Sequence, residues 1–363
     1  MASSGARPCA GWPERPDSQM DDIRFAVIGA GFMGRLLART ASSLPYARCV
    51  GATDLDLPRA EALTTACGGR PFVDSAEMLE QVRPHVVFVA TPEPDHCRPA
   101  ILAAEHGCHL FIEKPLATSL EDADEITDAC ARAGVRLMVG YILRFEPCYA
   151  QIQSALDQGM IGRFLSAYAR RDVAIHEARR LAGRISPILY LAVHDIDQIM
   201  WYHPSAVRSV HAHGLGGRVQ EEFGVDDYAW ITMDFADGAV ANVECGWAYP
   251  EAWANWSWPS GWGSFGDVQM HIVGTDGVLN LDMTPMGVTG CDPEGWKFPE
   301  SRHWPEMHGR PSGAVHLEVE HFFDCVIGGR QPLVTGGDGR RSLEVALAAE
   351  RSITEGGPVA LPL

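Results

Sequence analysis

The chain has 363 residues, 46% hydrophobic and 21% charged, which suits a globular protein of one or two domains with a sizeable core. A formal net charge of −18, with no basic cluster to offset it locally, argues against nucleic acid or an anionic membrane as the main partner. The ten cysteines are dispersed without a C-x-x-C pair, so they read as reduced thiols used as small apolar side chains, not as a disulfide framework or a zinc ribbon.

Residues 1–20 hold Pro8, Pro13 and Pro16 but no long apolar run. They are expected to be a disordered leader, neither a secretory signal nor a membrane span, with Met20 as an alternative start and a cytoplasmic location by default. The run Ile23–Ile28 then leads into Gly29-Ala30-Gly31-Phe32-Met33-Gly34, and an apolar helical pattern follows through Leu36, Leu37 and Ala38. A G-x-G-x-x-G triplet between a strand and a helix is a dinucleotide site. The first glycine permits a tight turn, the second lets the backbone approach a pyrophosphate, and the third lets helix and strand pack closely. Gly29, Gly31, Phe32, Met33 and Gly34 are therefore assigned to the cofactor.

The next run, Cys49–Thr53, ends at Asp54, twenty residues after Gly34. A carboxylate there can accept hydrogen bonds from the ribose hydroxyls and repels a 2′-phosphate, which favours NAD over NADP. Asp56 takes that role if the strand ends two residues later, Arg59 nearby weakens the preference, and a loop residue capping the next helix is the plain alternative. Further runs follow at Val86–Ala90, His109–Ile112 and Arg136–Gly140, with amphipathic stretches such as Arg98–Glu105 and Leu120–Arg132 between them. This alternation predicts an α/β Rossmann domain over 21–142, a doubly wound parallel sheet with ligands at the carboxyl ends of its strands.

Beyond Arg144 the pattern changes. A helix is expected over Pro147–Gln158, then runs at Phe164–Arg170, Val207–His213, Tyr228–Phe235, Ala239–Trp247, Val268–Val273 and Val278–Leu281. Asp237-Gly238 is a hairpin turn signal. Two helical stretches close the chain, around Ala314–Ile327 and Asp338–Thr354. This predicts an α+β domain over 143–363 with an open, mainly antiparallel sheet.

Thr91-Pro92, with His96 after them, follows one Rossmann strand, and Glu113-Lys114-Pro115 follows the next. Both segments sit on the cofactor edge, so Thr91, Pro92, His96, Glu113 and Lys114 are candidates there. A lysine at that edge can hydrogen-bond a substrate hydroxyl and stabilise an incipient alkoxide. A surface lysine paired with Glu113 is the competing reading.

In order and spacing these motifs resemble the family of glucose–fructose oxidoreductase, inositol dehydrogenase and related NAD(P)-dependent sugar dehydrogenases. Gly140-Tyr141, Arg144-Phe145, His194-Asp195-Ile196-Asp197 and Val273-Gly274-Thr275-Asp276-Gly277 extend the resemblance over about residues 21–363. It implies that Lys114 contacts the reacting hydroxyl, that the Lys114–Pro115 bond is cis, and that His194 is a general base. It also implies that Arg144 and Asp197 join Lys114 and His194 in binding substrate, and that the protein is a homodimer or homotetramer.

The stretch Ser186–Trp201 is apolar nearly all round, with Ser186 as a cap and Pro187 in the first turn. Tyr190, His194 and Asp197 are spaced i, i+4, i+7 and share one helical face. The inositol dehydrogenase pattern has an aspartate where this chain has Tyr190, so either Asp195 or another group supplies the missing charge, or Tyr190 itself contacts the substrate. Arg170, Arg171, His176, Arg179, Arg180 and Arg184 make either a positively charged lid or a solvated basic loop. Trp247, Trp253, Trp256, Trp258 and Trp262 suit a carbohydrate pocket or an oligomer interface equally. His211 and His213 alternate on one strand without obvious further ligands, so no metal is assigned.

The reading is an NAD-dependent oxidoreductase moving hydride between a secondary alcohol of a sugar or cyclitol and nicotinamide, with Lys114, His194 and Tyr190 as catalytic residues. A non-catalytic NAD-binding regulator, or a lyase or glycosidase that oxidises its substrate transiently, are the alternatives.

Overall fold

The computed structural model describes residues 22–181, 183–251, 266–283, 290–292, 295–297 and 302–363. The expected leader and four of the tryptophans singled out above (Trp253, Trp256, Trp258 and Trp262) lie outside them. In chain order the first half contains β1 (Ile23–Ile28), α1 (Phe32–Ser42), β2 (Ala47–Thr53), α2 (Leu57–Cys67), β3 (Arg70–Phe72), α3 (Ser75–Val82), β4 (Val86–Val89), α4 (Cys97–Glu105), β5 (His109–Glu113), α5 (Leu120–Ala133) and β6 (Leu137–Gly140). The second half contains α6 (Pro147–Asp157), β7 (Phe164–Ala174), α7 (Ile175–Leu181), a π-turn at Ile188–Ala192 running into α8 (Val193–Tyr202), β8 (Val207–Leu215), α9 (Arg218–Phe223), β9 (Tyr228–Phe235), β10 (Val240–Tyr249), β11 (Asp267–Gly274), β12 (Val278–Asp282), α10 (Ala314–Ile327) and α11 (Gly336–Glu355).

Two compact units emerge, one from residues 22–145 with Arg302–Leu343, the other from Glu146–Ser301 with Glu344–Leu363. The first holds a parallel sheet in the order β3-β2-β1-β4-β5-β6. The order reverses between β1 and β4, the switch point at which such sheets take their ligands. Val86-Val87-Phe88-Val89 of β4 is buried along its whole length, as a strand covered on both faces must be.

The late segment joins this unit through its aromatics. Phe25, Phe88 and Phe111, from three adjacent strands, are fully buried with Phe322 and Phe323 of α10. Phe88 and Phe111 lie 5.4 Å apart between ring centroids, Phe111 and Phe322 5.8 Å, and Phe25 and Phe323 6.1 Å. Burying each such ring is worth about 2–3 kcal/mol, more than the helix's own propensity supplies.

The second unit is built on a seven-stranded mixed sheet in the order β12-β11-β7-β10-β9-β8, closed by the short strand Val359–Ala360. β7 and β10 pair in parallel, and the other neighbours are antiparallel. Gly238, at φ +90°, makes the expected turn between β9 and β10. The basic stretch 170–184 departs from a loop. Arg170 and Arg171 lie within β7, which pairs with β11 as far as Asp172 and with β10 as far as Ala174. His176, Arg179 and Arg180 sit on α7. No helix among the described residues is long and apolar enough to cross a membrane.

Candidate active site

In the first unit the three glycines divide their work as the spacing implies. A Cβ on Gly29, at φ +94°, would lie 2.5 Å from the Ala90 carbonyl oxygen, so the turn after β1 fits against the end of β4 only as glycine. A Cβ on Gly34 would come 1.9 Å from the Gly29 carbonyl oxygen, which makes this glycine the contact between helix and turn. A Cβ on Gly31 would meet no protein atom within 4 Å. The space beside Gly31, at the N-terminus of α1, is open, and the helix end favours an anion there.

Asp54 ends β2 beside that turn. Its Oδ2 accepts from the Ala30 amide at 2.9 Å and its Oδ1 from the Asp56 amide at 2.9 Å. The carboxylate is thereby oriented toward the glycine loop with lone pairs remaining for ribose hydroxyls. Asp56 precedes α2 and pairs with Arg59 at 3.1 Å, so Arg59 is answered locally.

Past β4 and β5 lie the other cofactor candidates. His96 is buried, with Nδ1 3.0 Å from the Pro115 carbonyl oxygen and Nε2 3.1 Å from that of Thr91. Burial lowers its pKa and favours the neutral ring, which carries one N–H and donates to one of the two at a time. His96 thus braces Thr91 and Pro115, the two strand ends, against each other. Thr91 in turn donates through Oγ1 to the Asp95 carbonyl at 3.0 Å. Lys114 is half-buried, its peptide bond to Pro115 is cis, and its amide donates to Glu113 Oε2 at 3.3 Å. Glu113 is itself buried, so the picture of a surface ion pair does not hold. Arg144 is buried, 3.8 Å from Asp338 and donating to the Leu333 carbonyl at 3.2 Å, which ties the segment after β6 to the start of α11.

In the second unit Ser186 Oγ accepts from the Leu189 amide at 3.1 Å, the expected cap. The π-turn that follows was not legible from apolar spacing. It holds Tyr190, while His194 lies on α8; π-turns recur at functional sites. His194 is half-buried and Asp197 fully buried.

Asp195 does not stand in for the missing aspartate. Arg171 grips both of its oxygens, Nε to Oδ2 at 2.6 Å and Nη2 to Oδ1 at 2.9 Å, and also donates to the Tyr149 hydroxyl at 3.1 Å. Burial raises the Asp195 carboxyl while Arg171 pulls it back down. The pair pins α8 to β7. The Tyr190 hydroxyl meets Arg180 Nη2 at 2.5 Å and donates toward Glu177 Oε2 at 3.4 Å. Burial would raise the Glu177 carboxyl, but the His176 hydrogen bond and the Arg180 charge hold it down at about 2. The carboxylate near this helix therefore comes from α7.

The basic stretch is otherwise answered by acids. Arg170 reaches Asp267 at 2.8 Å and Glu244 at 3.4 Å, and Arg179 reaches Glu222 at 3.3 Å as well as Glu251. These pairings leave little of the free positive charge that a phosphate-gripping lid requires. Trp247 is buried, with Nε1 donating to the Asp226 carbonyl at 2.9 Å. The His211 and His213 rings lie 4.7 Å apart, tilted 55° to each other.

A family model described as "Oxidoreductase family, NAD-binding Rossmann fold" matches residues 23–141, and one described as "GFO/IDH/MocA C-terminal domain" matches residues 149–280. The chain belongs to this oxidoreductase family. It is 30% identical to a scyllo-inositol 2-dehydrogenase (NAD(+)) of Bacillus subtilis over 93% of this chain and 96% of that one. It is 28% identical to a 2,7-anhydro-N-acetylneuraminate hydratase of Mediterraneibacter gnavus over 74% and 70%. Its fold matches a scyllo-inositol dehydrogenase from Lactobacillus casei with a TM-score of 0.80 at 22% identity, covering 94% and 99% of the two chains.

As a member of the Gfo/Idh/MocA family the protein is an NAD-binding oxidoreductase, and the Gly29–Gly34 turn with Asp54 fits that cofactor. Sequence reasoning missed two contributors, the Arg171–Asp195 pair and Glu177. A paired Arg and Asp 24 residues apart leave no local signature; only the basic character of 170–184 hinted that partners were needed.

Proposed function

We propose that the protein is an NAD-dependent dehydrogenase of a cyclitol or sugar, oxidising one secondary alcohol to a ketone. The observation that carries it is Lys114, placed directly after β5 on the edge where NAD binds, with its amide anchored by Glu113 and its proline braced by His96. Bound NAD supplies the hydride acceptor. Lys114 holds the reacting oxygen and stabilises its charge as the C–H bond breaks. His194 accepts the hydroxyl proton, and Asp197 accepts hydrogen bonds from neighbouring hydroxyls. Asp54 selects the unphosphorylated ribose. The Tyr190 hydroxyl, backed by Glu177 and Arg180, takes the place of a carboxylate and shapes specificity among polyols. Arg144 serves the substrate side by fixing the segment after β6, and the active protein is a homo-oligomer.

The inositol-dehydrogenase relative at 30% identity over nearly the whole chain supports a cyclitol first. The hydratase relative supports a second reading, in which substrate is oxidised transiently and NAD is regenerated within one turnover. The test is NADH formation across inositols and sugars with wild type, Lys114→Ala and His194→Ala. The proposal expects a cyclitol to give NADH and each variant to lose at least ~100-fold in kcat with NAD affinity kept, the usual scale for removing an oxyanion donor or a general base. Near-normal turnover in Lys114→Ala would remove the lysine from the chemistry.

A further inference from the structure

Glu113 anchors the Lys114 amide in the chemistry above, and a second buried carboxyl, Glu318, has no task there. Glu113 closes β5 at 9% exposure, and Glu318 on α10 is 2% exposed. The fold of the first unit brings them together. Phe111 and Glu113, two apart on a strand, share one face of the sheet, while Glu318 and Phe322, four apart on a helix, share one stripe. The Phe111 and Phe322 rings meet at 5.8 Å, and Glu318, one turn before Phe322 on α10, lies close enough to Glu113 for the two carboxyls to feel each other's charge. Gly140 of β6 pairs in register with Glu113, and a Cβ there would come 3.1 Å from the Phe111 ring and 3.4 Å from the Glu113 carboxyl carbon. The glycine of the Gly140-Tyr141 motif therefore leaves room for both side chains.

This place does not hold two negative charges. Glu318 Oε1 has no hydrogen-bond partner among the described residues, and an ionised carboxylate so situated lacks a replacement for the water lost at that oxygen. Burial, reinforced by Glu113, pushes the Glu318 carboxyl well above its ordinary range. Burial also lifts Glu113 to about 7, against the pull of Lys114 and with a further push from Glu93. Glu93 comes from the turn after β4, and Lys114 directly follows β5. β6 presents the uncharged Gly140, and Arg144 beyond it is engaged by Asp338 and the Leu333 carbonyl.

We propose that Glu318 is a positioning residue for Lys114: it stays a neutral acid so that Glu113 is the only carboxylate of the pair, free to hold the Lys114 amide and to face its ammonium. The inference rests on the role proposed for Lys114 and adds how that lysine is held. The two carboxyls lose protons in sequence, Glu113 first and Glu318 after it, and the second buried charge loosens the end of β5.

Both groups bind protons more tightly in the folded chain than in the unfolded one. Their stabilising contribution is therefore complete below the unfolded carboxyl pKa of about 4.3 and is lost as pH rises through 7 and beyond. Glu318→Gln, a neutral isostere, tests this in the full-length protein. Without substrate, the infrared difference between wild type and variant at pH 7 is expected to contain the carbonyl stretch of a buried protonated carboxylic acid. The urea midpoint of the variant is expected to fall less than that of wild type between pH 5 and pH 9. In turnover, the alkaline limb of kcat is expected to move up by roughly one pH unit with little change in KM for NAD.

No such band, an unchanged alkaline limb, or a variant that cannot fold with a neutral side chain at this position overturns the proposal. If the substrate-free results appear while no polyol is oxidised, the dehydrogenase reading fails and the neutral acid stands.

Discussion

A methyl group at Gly31 would touch no protein atom within 4 Å, whereas one at Gly34 would sit 1.9 Å from a backbone oxygen. The two substitutions therefore separate cofactor recognition from folding. Gly31, at φ −67°, accepts alanine without backbone strain. Gly31→Ala is expected to keep its stability within about 0.5 kcal/mol while its NAD affinity falls at least ~10-fold, or about 1.4 kcal/mol. Gly34→Ala is expected to lose roughly 1–3 kcal/mol of stability as well, by overpacking. Urea titration beside an NAD binding isotherm checks both, and equal destabilisation by the two would contradict the division of labour. These glycines and Asp54 were legible because each acts on a neighbour fixed by local spacing. The same holds for Lys114 as the residue after a buried strand. Glu177 was not, because its partner Tyr190 lies within a turn whose π geometry no apolar periodicity reports.

At the scale of elements, β7 and α8 depend on one buried ion pair. Arg171 and Asp195 are 7% and 0% exposed, and removing one partner leaves the other charged and dry. Arg171→Met is expected to cost about 3–5 kcal/mol, and Arg171→Met with Asp195→Leu to recover most of it. Denaturant midpoints of the single and double variants measure this. A single variant as stable as wild type would show that the pair does not pin the helix. Most strands were readable to within a few residues, since β-branched runs bounded by turn residues leave few alternatives. The exceptions have physical causes. Arg70–Phe72 of β3 is too short for a period, and β7 outruns its apolar pattern because Arg171 and Asp172 are buried by partners that come from elsewhere in the chain.

For the whole molecule, the change from strand–helix alternation to antiparallel runs near residue 145 marked two architectures, and the described residues contain both. The allegiance of Arg302–Leu343 to the parallel sheet was not readable, because an apolar helix such as α10 does not announce which sheet its phenylalanines will meet. The small neutral polyol proposed above as substrate is one that hydrogen bonds, and not charge attraction, would recognise. The most direct measurement follows the hydride itself. scyllo-Inositol carrying deuterium on its ring carbons is incubated with the protein and NAD, and the cofactor is recovered for mass analysis. The account predicts reduced cofactor one deuterium heavier, in one-to-one yield with ketone. Consumption of a sugar or cyclitol substrate with no accumulated reduced cofactor, or binding of NAD with no polyol oxidised, would contradict it.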